Sequence, residues 1–517
     1  MRVGSILLAI VLSCLAFQSS AASQRLTILH SNDVHGHLRP FSHPAIAPSE
    51  RWSMIAELPA RRDIGGIARR ATLAARIRAD LSKQGTPVWL IDAGDFFHYS
   101  VFSGEYHGVA DVIAMNRAGY DFATFGNHEF EVTPKQLRSL IAAARFEFLC
   151  ANVTDSAAGR PLTKPYEVRQ VGDVRVGIFG LVTASAGRKP AAQEGITVQD
   201  AFAVAPAVVA QLRGPGRADV VVLISHLGEP GDRRLAREVP GIDVIVGGHS
   251  HTRLPQGEVV RWSDALEPDE VNGTVIVQAY QWGGELGRLD LLLEKNAAGK
   301  WRVIRHQAQL IPVTGQTADD PAVAAVLDSL WAPHAARYDE VLGTATADFA
   351  DRGDDNAQNN FIADAVRAAF GVEVAFESRG GMFWPIPAGP VTRAMLVDLD
   401  QRPHTIVTFR MRGSEIRRFV TRAMPVGSAL RYRMFLGRLE DITVGGAPLD
   451  DARVYSCAAS SALAGRLDGY ETLEMRDTKR PWSGVVIDAI RKARTITPAY
   501  DGRRVVVDTL RSAVRSE

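Results

Sequence analysis

Five short segments of the chain combine aspartate, asparagine and histidine, most of them beside glycine. Carboxylate, imidazole and amide oxygen are together ligands of borderline divalent metals such as zinc, manganese, cobalt or iron. One metal takes about four protein ligands, so a set this large with a shared carboxylate predicts two metals about 3.5–4 Å apart. Such a pair can bind a phosphoryl group and activate water for its hydrolysis. The segments are Asp33-Val34-His35, Gly94-Asp95, Gly126-Asn127-His128-Glu129, Ser225-His226 and Gly247-Gly248-His249-Ser250-His251.

Some of these segments, taken singly, have an ordinary structural explanation. An Asp-x-His pair occurs in many loop turns, and a lone histidine such as His226 can be a hydrogen-bonded residue at a strand end. The runs that begin at Gly126 and Gly247 are more specific. All five segments follow predicted strands, and this shared position favours a single site over five unrelated turns.

Short apolar, β-branched runs precede the polar segments. Their continuous apolar character predicts strands covered on both faces, and helical patterns such as 67–81 lie between them. Thr133-Pro134 predicts the capped start of another helix. In α/β sheets the carboxyl ends of the strands line the functional crevice, so we expect the polar residues to meet there. The predicted strands are Leu26–His30, Val88–Asp92, Phe122–Phe125, Val174–Phe179, Val220–Ile224, Val244–Val246 and Thr274–Gln278.

The composition is that of a globular protein. Of 517 residues, 46% are hydrophobic and 23% charged, which excludes a disordered chain, a collagen and a multispanning membrane protein. The formal net charge of +1 gives no electrostatic indication of nucleic-acid binding. Three cysteines exclude a disulfide scaffold, and we expect Cys150 and Cys457 to be buried as small hydrophobic residues.

The N-terminal segment has the features of a secretory signal peptide. Met1-Arg2 is a positive start, the apolar run from Ile6 to Phe17 has 12 residues, and small residues precede a cleavage site after Ala22. The run is shorter than the roughly 20 apolar residues that a membrane span needs. We therefore expect an exported protein, periplasmic or extracellular. A buried helix and lipid attachment at Cys14 are the alternatives, and the sequence before Cys14 is a poor lipobox.

The five polar segments together resemble those of the calcineurin-like metallophosphoesterases. The opening run from Leu26 to His37 (LTILHSNDVHGH) and the two-block layout resemble the secreted 5′-nucleotidase family, which includes the periplasmic UDP-sugar hydrolase type. The resemblance implies an α/β fold in which a four-layer α/β sandwich is followed by a smaller α/β C-terminal domain. We expect a signal peptide at 1–22, the phosphoesterase domain at 23–315, a linker helix at 316–341 and the C-terminal substrate domain at 342–517.

The resemblance also implies a role for each residue of the first block. Two divalent ions (zinc, manganese or cobalt) would share Asp95. The mechanism it implies is in-line attack of a metal-bridging hydroxide on phosphorus, without a covalent enzyme intermediate. His128 would contact the phosphate as a catalytic residue, and Glu131 would orient it in the place where the family has Asp. One ion would be held by Asp33, His35, Asp95 and His251, and the other by Asp95, Asn127, His226 and His249.

The second block matches the family less closely. The family contacts the base with an Asn and the phosphate with an Arg, and this chain has Ser378 and Phe383 at those positions. The family's second phosphate-binding Arg falls near Ala357 of this chain. The two aromatic residues that enclose the base fall at His404 and Ala462. Base stacking is worth roughly 1–3 kcal/mol per contact, and His and Ala in these places give up most of it. The base-binding pocket is therefore altered. The expected substrate-binding residues are Arg379, Gly380, Gly381, His404, Asp468 and Tyr470.

Three functions follow from these observations. The first is hydrolysis of phosphate esters of nucleotides, as in the 5′-nucleotidases. The second is the same chemistry on another ester, such as a cyclic nucleotide, a sugar nucleotide or a sulfur ester, because the base pocket is altered. The third is a metal-containing binding protein without turnover. The expected partner is a small-molecule phosphoester, with no nucleic acid and no membrane span, and the chain is expected to be a monomer or a dimer.

Overall fold

The structure is a computed structural model that describes residues 23–45, 59–98, 100–262, 271–296, 298–352, 355–378, 385–399 and 404–507. The predicted signal peptide and the predicted substrate contacts Arg379, Gly380 and Gly381 lie outside these residues. Among the described residues, no helix combines the length and the apolar character that a bilayer crossing requires.

The first large sheet has six strands. Its four parallel strands run from Gln24–Ser31 outward, and two long antiparallel strands complete the other edge. The antiparallel pair was not among the predicted strands. In spatial order the strands are Trp301–Pro312, Glu285–Lys295, Gln24–Ser31, Val88–Asp92, Phe122–Ala123 and Glu147–Phe148.

The second large sheet also has six strands, with four parallel strands between two antiparallel edges. Its central strand Val220–His226 is fully buried, as its continuous apolar sequence predicts. In spatial order the strands are Glu258–Arg261, Gly273–Val277, Val244–Gly247, Val220–His226, Val174–Val182 and Tyr166–Val171.

These two sheets stack face to face with helices on both outer sides. One apolar cluster joins Ile28 and Ile91 of the first sheet to Val222 and Val246 of the second. The opposite face of the first sheet packs on the helices Ile67–Ser82 and Val109–Ala118. The opposite face of the second sheet packs on Ala201–Arg213 and Glu229–Glu238. The predicted four-layer α/β sandwich is confirmed.

The second block is a smaller α/β unit built on a five-stranded sheet. Two further sheets of four and three strands adjoin it. The five strands are Val426–Ser428, Val374–Glu377, Val454–Ser460, Thr405–Arg412 and Thr472–Pro481. The others are Ala447–Pro448, Arg438–Val444, Leu430–Phe435 and Arg504–Val507, then Gly389–Thr392, Val341–Ala345 and Thr495–Ile496.

The remaining elements are short strands and helices. The short strands are Phe41–His43, Arg61–Ile64, Val153–Asp155, Arg160–Pro161, Ile196–Val198, Asp351–Arg352 and Asp355–Asn356. The other helices are Val101–Tyr106, Pro134–Ala143, Pro190–Gln193, Pro321–Trp331, Ala335–Tyr338, Ala357–Phe370, Arg393–Leu399, Gly413–Ala423, Ser461–Ala464 and Trp482–Ala493, with 3₁₀ turns at His128–Phe130 and Ala184–Arg188.

The two blocks are joined by the helix Pro321–Trp331 and touch directly. Val323 and Leu327 of this helix are buried in the core of the first block. Trp282, in the first block, packs in the apolar cluster of the second block. Arg62 pairs with Asp348 across the boundary through contacts of 2.5 and 2.6 Å. The helix Pro321–Trp331 therefore packs against the first block.

Candidate metal centre

The polar segments of the first block meet where the parallel strands of the two large sheets end. Ser31 pairs with Asp92 at the end of the first sheet, and Ser225 pairs with Gly247 in the second. Asp33 and Asp95 follow the first two strands, and His226 ends a strand of the second sheet. Because the two sheets stack, their carboxyl ends open on the same crevice, as in other α/β folds.

The structure brings the predicted ligands together in linked groups. His35 belongs to a group with Asp33 and His251 and to another with Asp95 and His128. Asp95 also belongs to a third group with His226 and His249. Within each group the possible ligand atoms lie within 4.8 Å of one another. Asp95 thus belongs to two of these groups, as expected of a carboxylate that two metals would share.

The individual distances are short. His226 Nε2 lies 3.0 Å from Asp95 Oδ2 and 3.9 Å from Asp33 Oδ1. His251 Nε2 lies 3.4 Å from Asp33 Oδ1 and 3.1 Å from His35 Nε2. Both carboxylates are at most 2% exposed. Buried acids and imidazoles at these distances form a compact set of oxygen and nitrogen donors.

The backbone at these residues has an unusual conformation. Asp33, His35, Asp95, His249 and His251 all have positive φ values, between 49° and 76°. Residues other than glycine avoid this left-handed region because Cβ crowds the backbone. Such strain concentrates at functional sites, where the surrounding structure enforces it.

Two glycines allow the ligand loops to approach each other. A Cβ on Gly94 would lie 2.4 Å from the amide nitrogen of Gly126. A Cβ on Gly126 would lie 2.0 Å from Asp95 Oδ1. Any larger residue at these positions would therefore displace the loop or the carboxylate.

Hydrogen bonds behind two histidines set which ring nitrogen faces the crevice. His226 Nδ1 donates to the carbonyl of Ala93 over 2.7 Å, and His251 Nδ1 donates to the side-chain oxygen of Gln281. In both rings Nε2 then faces the carboxylates. Partners of this kind orient metal-binding imidazoles.

The buried charges shift the pKa values of the candidate ligands in both directions. Burial alone would raise the pKa of Asp95, but the charges of His226 and His128 hold it well below its ordinary value. Burial lowers the pKa of His249 to about 4 and that of His35 well below its usual range. Burial opposes protonation of His226, yet Asp95 and Asp33 raise its pKa to about 10. At neutral pH the carboxylate of Asp95 is therefore ionised and His35 and His249 are neutral, the forms that bind metals. His226 is protonated in the metal-free chain, and despite burial Asp33 raises the pKa of His251 as well, so a metal bound to either imidazole would have to displace its proton.

The side chain of Asn127 provides a separate test of metal binding. Its Oδ1 is buried and has no hydrogen-bond partner among the described residues. A buried amide oxygen without a partner costs free energy, so its presence calls for a ligand. Together with the imidazoles and carboxylates beside it, this oxygen fits a pair of divalent ions.

His128 lies at the edge of this cluster and contacts Glu131. Its Nε2 is 3.8 Å from Asp95 Oδ2, and its backbone nitrogen donates to Asp95 Oδ1 over 2.8 Å. Its Nδ1 is 3.2 Å from Glu131 Oε1, so the carboxylate of Glu131 can orient the ring.

Sequence reasoning missed several residues that surround the ligands. Glu129 stood inside the Gly126 run without a role, yet its buried carboxylate accepts the backbone N–H of Asp95 over 3.0 Å. His98 also lies behind the candidate ligands, with its Nε2 2.8 Å from Glu131 Oε2. Lys189 also contacts Glu131 and was not considered. The basic pair Arg188-Lys189, which follows the strand Val174–Val182, was the only local sequence feature that indicated a role for Lys189.

The expected substrate contacts of the second block do not belong to the metal cluster. His404 accepts the backbone N–H of Trp482 through its carbonyl, over 2.8 Å. Asp468 is exposed, and Tyr470 is half-buried against Phe419 with the guanidinium of Arg418 over its ring. These three residues lie in the second block, and their roles stay predictions.

Comparison with known proteins agrees with this architecture. The calcineurin-like phosphoesterase family matches residues 26–253, and the 5′-nucleotidase C-terminal domain matches residues 341–475. The chain is 28% identical over 527 residues to a 5′-nucleotidase of Vibrio cholerae, an alignment that covers 90% of this chain and 91% of that protein.

Solved structures share the fold over nearly the whole chain. The 5′-nucleotidase precursor of Thermus thermophilus superposes with a TM-score of 0.74 at 26% identity, covering 94% of this chain and 100% of that one. The sulfate thiohydrolase SoxB of Thermus thermophilus, at 22% identity and a TM-score of 0.71, shares the fold over 94% of this chain and 97% of that one. The chain belongs to the 5′-nucleotidase family, in which a calcineurin-like phosphoesterase domain precedes a 5′-nucleotidase C-terminal domain.

Proposed function

We propose that this chain is an exported hydrolase that cleaves phosphate esters of nucleotides with two divalent ions. The observation that carries the proposal is the convergence of buried and half-buried carboxylates and imidazoles in linked groups, two of which share Asp95. The 5′-nucleotidases among its relatives support the nucleotide as the substrate class.

The ligands divide between the two ions. The first set is Asp33, His35, Asp95 and His251, and the second is Asp95, Asn127, His226 and His249. When bound, such ions act as Lewis acids and lower the pKa of water, which supplies a nucleophile near neutral pH. The donor set suits borderline divalent metals, and among these we propose zinc, manganese or cobalt.

The residues around the ligands act on the phosphate. His128 directs Nε2 toward Asp95 and would donate a hydrogen bond to a phosphoryl oxygen as negative charge builds on it. Glu131 accepts from Nδ1, which holds the ring in that orientation. Glu129 fixes the backbone of Asp95 and so keeps the shared carboxylate in position.

The second block would bind the rest of the substrate. We propose domain boundaries at 315/316 and 341/342, with the helix Pro321–Trp331 between the two parts. Residues 342–517 would supply Arg379, Gly380, Gly381, His404, Asp468 and Tyr470 as substrate contacts. Because the base-binding positions differ from the family pattern, another phosphoester is the alternative within the same chemistry.

A panel of esters tests the proposal. The purified chain, loaded with Mn²⁺, is incubated with 5′-nucleotides, cyclic nucleotides, sugar nucleotides and p-nitrophenyl phosphate, and the products are separated and quantified by chromatography. A thiosulfate ester is included, with sulfate as the product measured. We expect the highest kcat/KM on a 5′-nucleotide. His128→Ala should lower kcat by about 10²- to 10⁴-fold with the metal content unchanged.

Two outcomes would change the assignment. Preference for another ester would move the substrate class and leave the chemistry intact. Bound metals without hydrolysis of any ester would support a binding protein in its place. Export is tested separately by N-terminal sequencing of the protein released by osmotic shock, where the mature chain should begin at Ser23 or close to it.

A further inference from the structure

Glu131 is the meeting point of three nitrogen-bearing side chains. His128 Nδ1 lies 3.2 Å from Oε1, His98 Nε2 lies 2.8 Å from Oε2, and Lys189 Nζ contacts Oε1. The side chain of Glu131 is only 17% exposed. Both carboxylate oxygens are therefore held by donors, and Oε1 is shared between His128 and Lys189.

Lys189 comes from a part of the chain that supplies no metal ligand. It follows the strand Val174–Val182 and the 3₁₀ turn Ala184–Arg188, which begins with a cap at Thr183. Its backbone nitrogen donates to the carbonyl of Ala186 over 3.1 Å, and Pro190 starts the next helix. These local bonds fix the point from which the lysine side chain reaches Glu131.

His98 is held in an unusual conformation. Its φ is 108°, a value that residues other than glycine rarely adopt. Its backbone nitrogen donates to Ser103 Oγ over 2.9 Å. Its ring stacks on that of His128, with centroids 4.8 Å apart and planes 22° apart. Because strained backbone concentrates at functional sites, this conformation indicates that the contact between His98 and His128 has a functional role.

We propose that Lys189 and His98 are positioning residues that hold Glu131 so that it orients His128 during hydrolysis. Glutamate has one more rotatable bond than aspartate, so a carboxylate on this longer side chain samples more positions unless it is restrained. A cation on one oxygen and an imidazole on the other remove that freedom. This inference rests on the proposed hydrolase function and adds two residues to it.

The experiment compares variants of Lys189 with p-nitrophenyl phosphate as substrate and Mn²⁺ as metal. Lys189→Met should lower kcat about 10- to 100-fold, the usual cost of losing a partner behind a metal site. KM should stay within about twofold and the metal content should be unchanged, because Lys189 contacts Glu131, which is not a proposed ligand. Lys189→Arg should recover most of the rate. Arg188→Met removes the neighbouring exposed charge and should leave kcat unchanged, which controls for net charge.

A double-mutant cycle separates positioning from other roles. If Lys189 acts through Glu131, Lys189→Met has no further effect in a Glu131→Gln background. His98→Phe keeps a ring against His128 but removes the contact with Glu131, and it should lower kcat without a change in KM. Should Lys189→Met fail to fold, Lys189→Gln is used for the same comparison.

Three results would overturn the inference. They are an unchanged kcat in Lys189→Met, a full additional loss in the Glu131→Gln background, and a rise in KM with kcat intact, which would make Lys189 a substrate contact. A wild-type chain without hydrolysis would remove both this inference and the proposed function. An active wild type with insensitive Lys189 variants would remove the inference alone.

Discussion

The substitution Gly126→Ala tests whether the position of Asp95 controls catalysis. The new Cβ would lie 2.0 Å from Asp95 Oδ1 and 2.5 Å from its backbone nitrogen, while contacts are ordinary from 3.4 Å. The new Cβ and the carboxylate of Asp95 must therefore move apart by about 1.4 Å. Misplacement of a reacting group by about 1 Å can lower the rate about 10²-fold, which corresponds to about 2.7 kcal/mol.

The assay for this variant is kcat/KM for p-nitrophenyl phosphate together with the number of metals per chain. We expect a loss of about 10²-fold or more, and a lower metal content, because Asp95 is the proposed shared ligand. Gly484→Ala is the matched control, since its Cβ would meet its nearest neighbour at 3.8 Å inside the helix Trp482–Ala493. A Gly126→Ala variant with two metals and the wild-type rate would refute the reasoning.

Three further predictions concern stability. Burial lowers the pKa of His30 to about 3, below its value of 6.5 in the unfolded chain, so the unfolded chain takes up the proton first as pH falls. The free energy of unfolding should therefore drop by about 1.6 kcal/mol between about pH 6.5 and pH 5 through His30, and chemical denaturation of His30→Gln should lack this part of the slope. Removal of metals with EDTA should abolish hydrolysis and lower the free energy of unfolding by about 2.7 kcal/mol for each of the two proposed ions, about 5.5 kcal/mol together, relative to ions at 100 times Kd. Thermal scans measure the change, and added Mn²⁺ should restore both activity and stability. Thr133→Ala removes the cap that accepts from the backbone N–H of Gln136, and should cost about 1 kcal/mol in denaturant titrations, whereas Ser139→Ala in the same helix should change stability by less than about 0.5 kcal/mol.

Local sequence patterns were sufficient to predict much of the first block. The strand at 220–226 and the helix at 67–82 follow from apolar runs and helical periodicity, and the helix that starts at Pro134 follows from its capping residues. The antiparallel strands Glu285–Lys295 and Trp301–Pro312 were missed. The first alternates buried and half-buried residues, and most positions of the second are exposed or half-buried. Neither has the continuous apolar run that marks a strand covered on both faces.

The sequence by itself identified the side chains that could bind metals, because the candidate ligands lie in short polar runs at the ends of strands, most of them beside glycine. Only the tertiary structure decided which residues support them. Lys189 is 58 positions from Glu131 and reaches it from the turn that follows a strand of the second sheet, and Gln281 contacts His251 from 30 positions away. The type of a residue and its neighbours in sequence determine which chemistry it can perform. Its partners from distant segments depend on how the two sheets stack, because such contacts arise from packing of the whole domain.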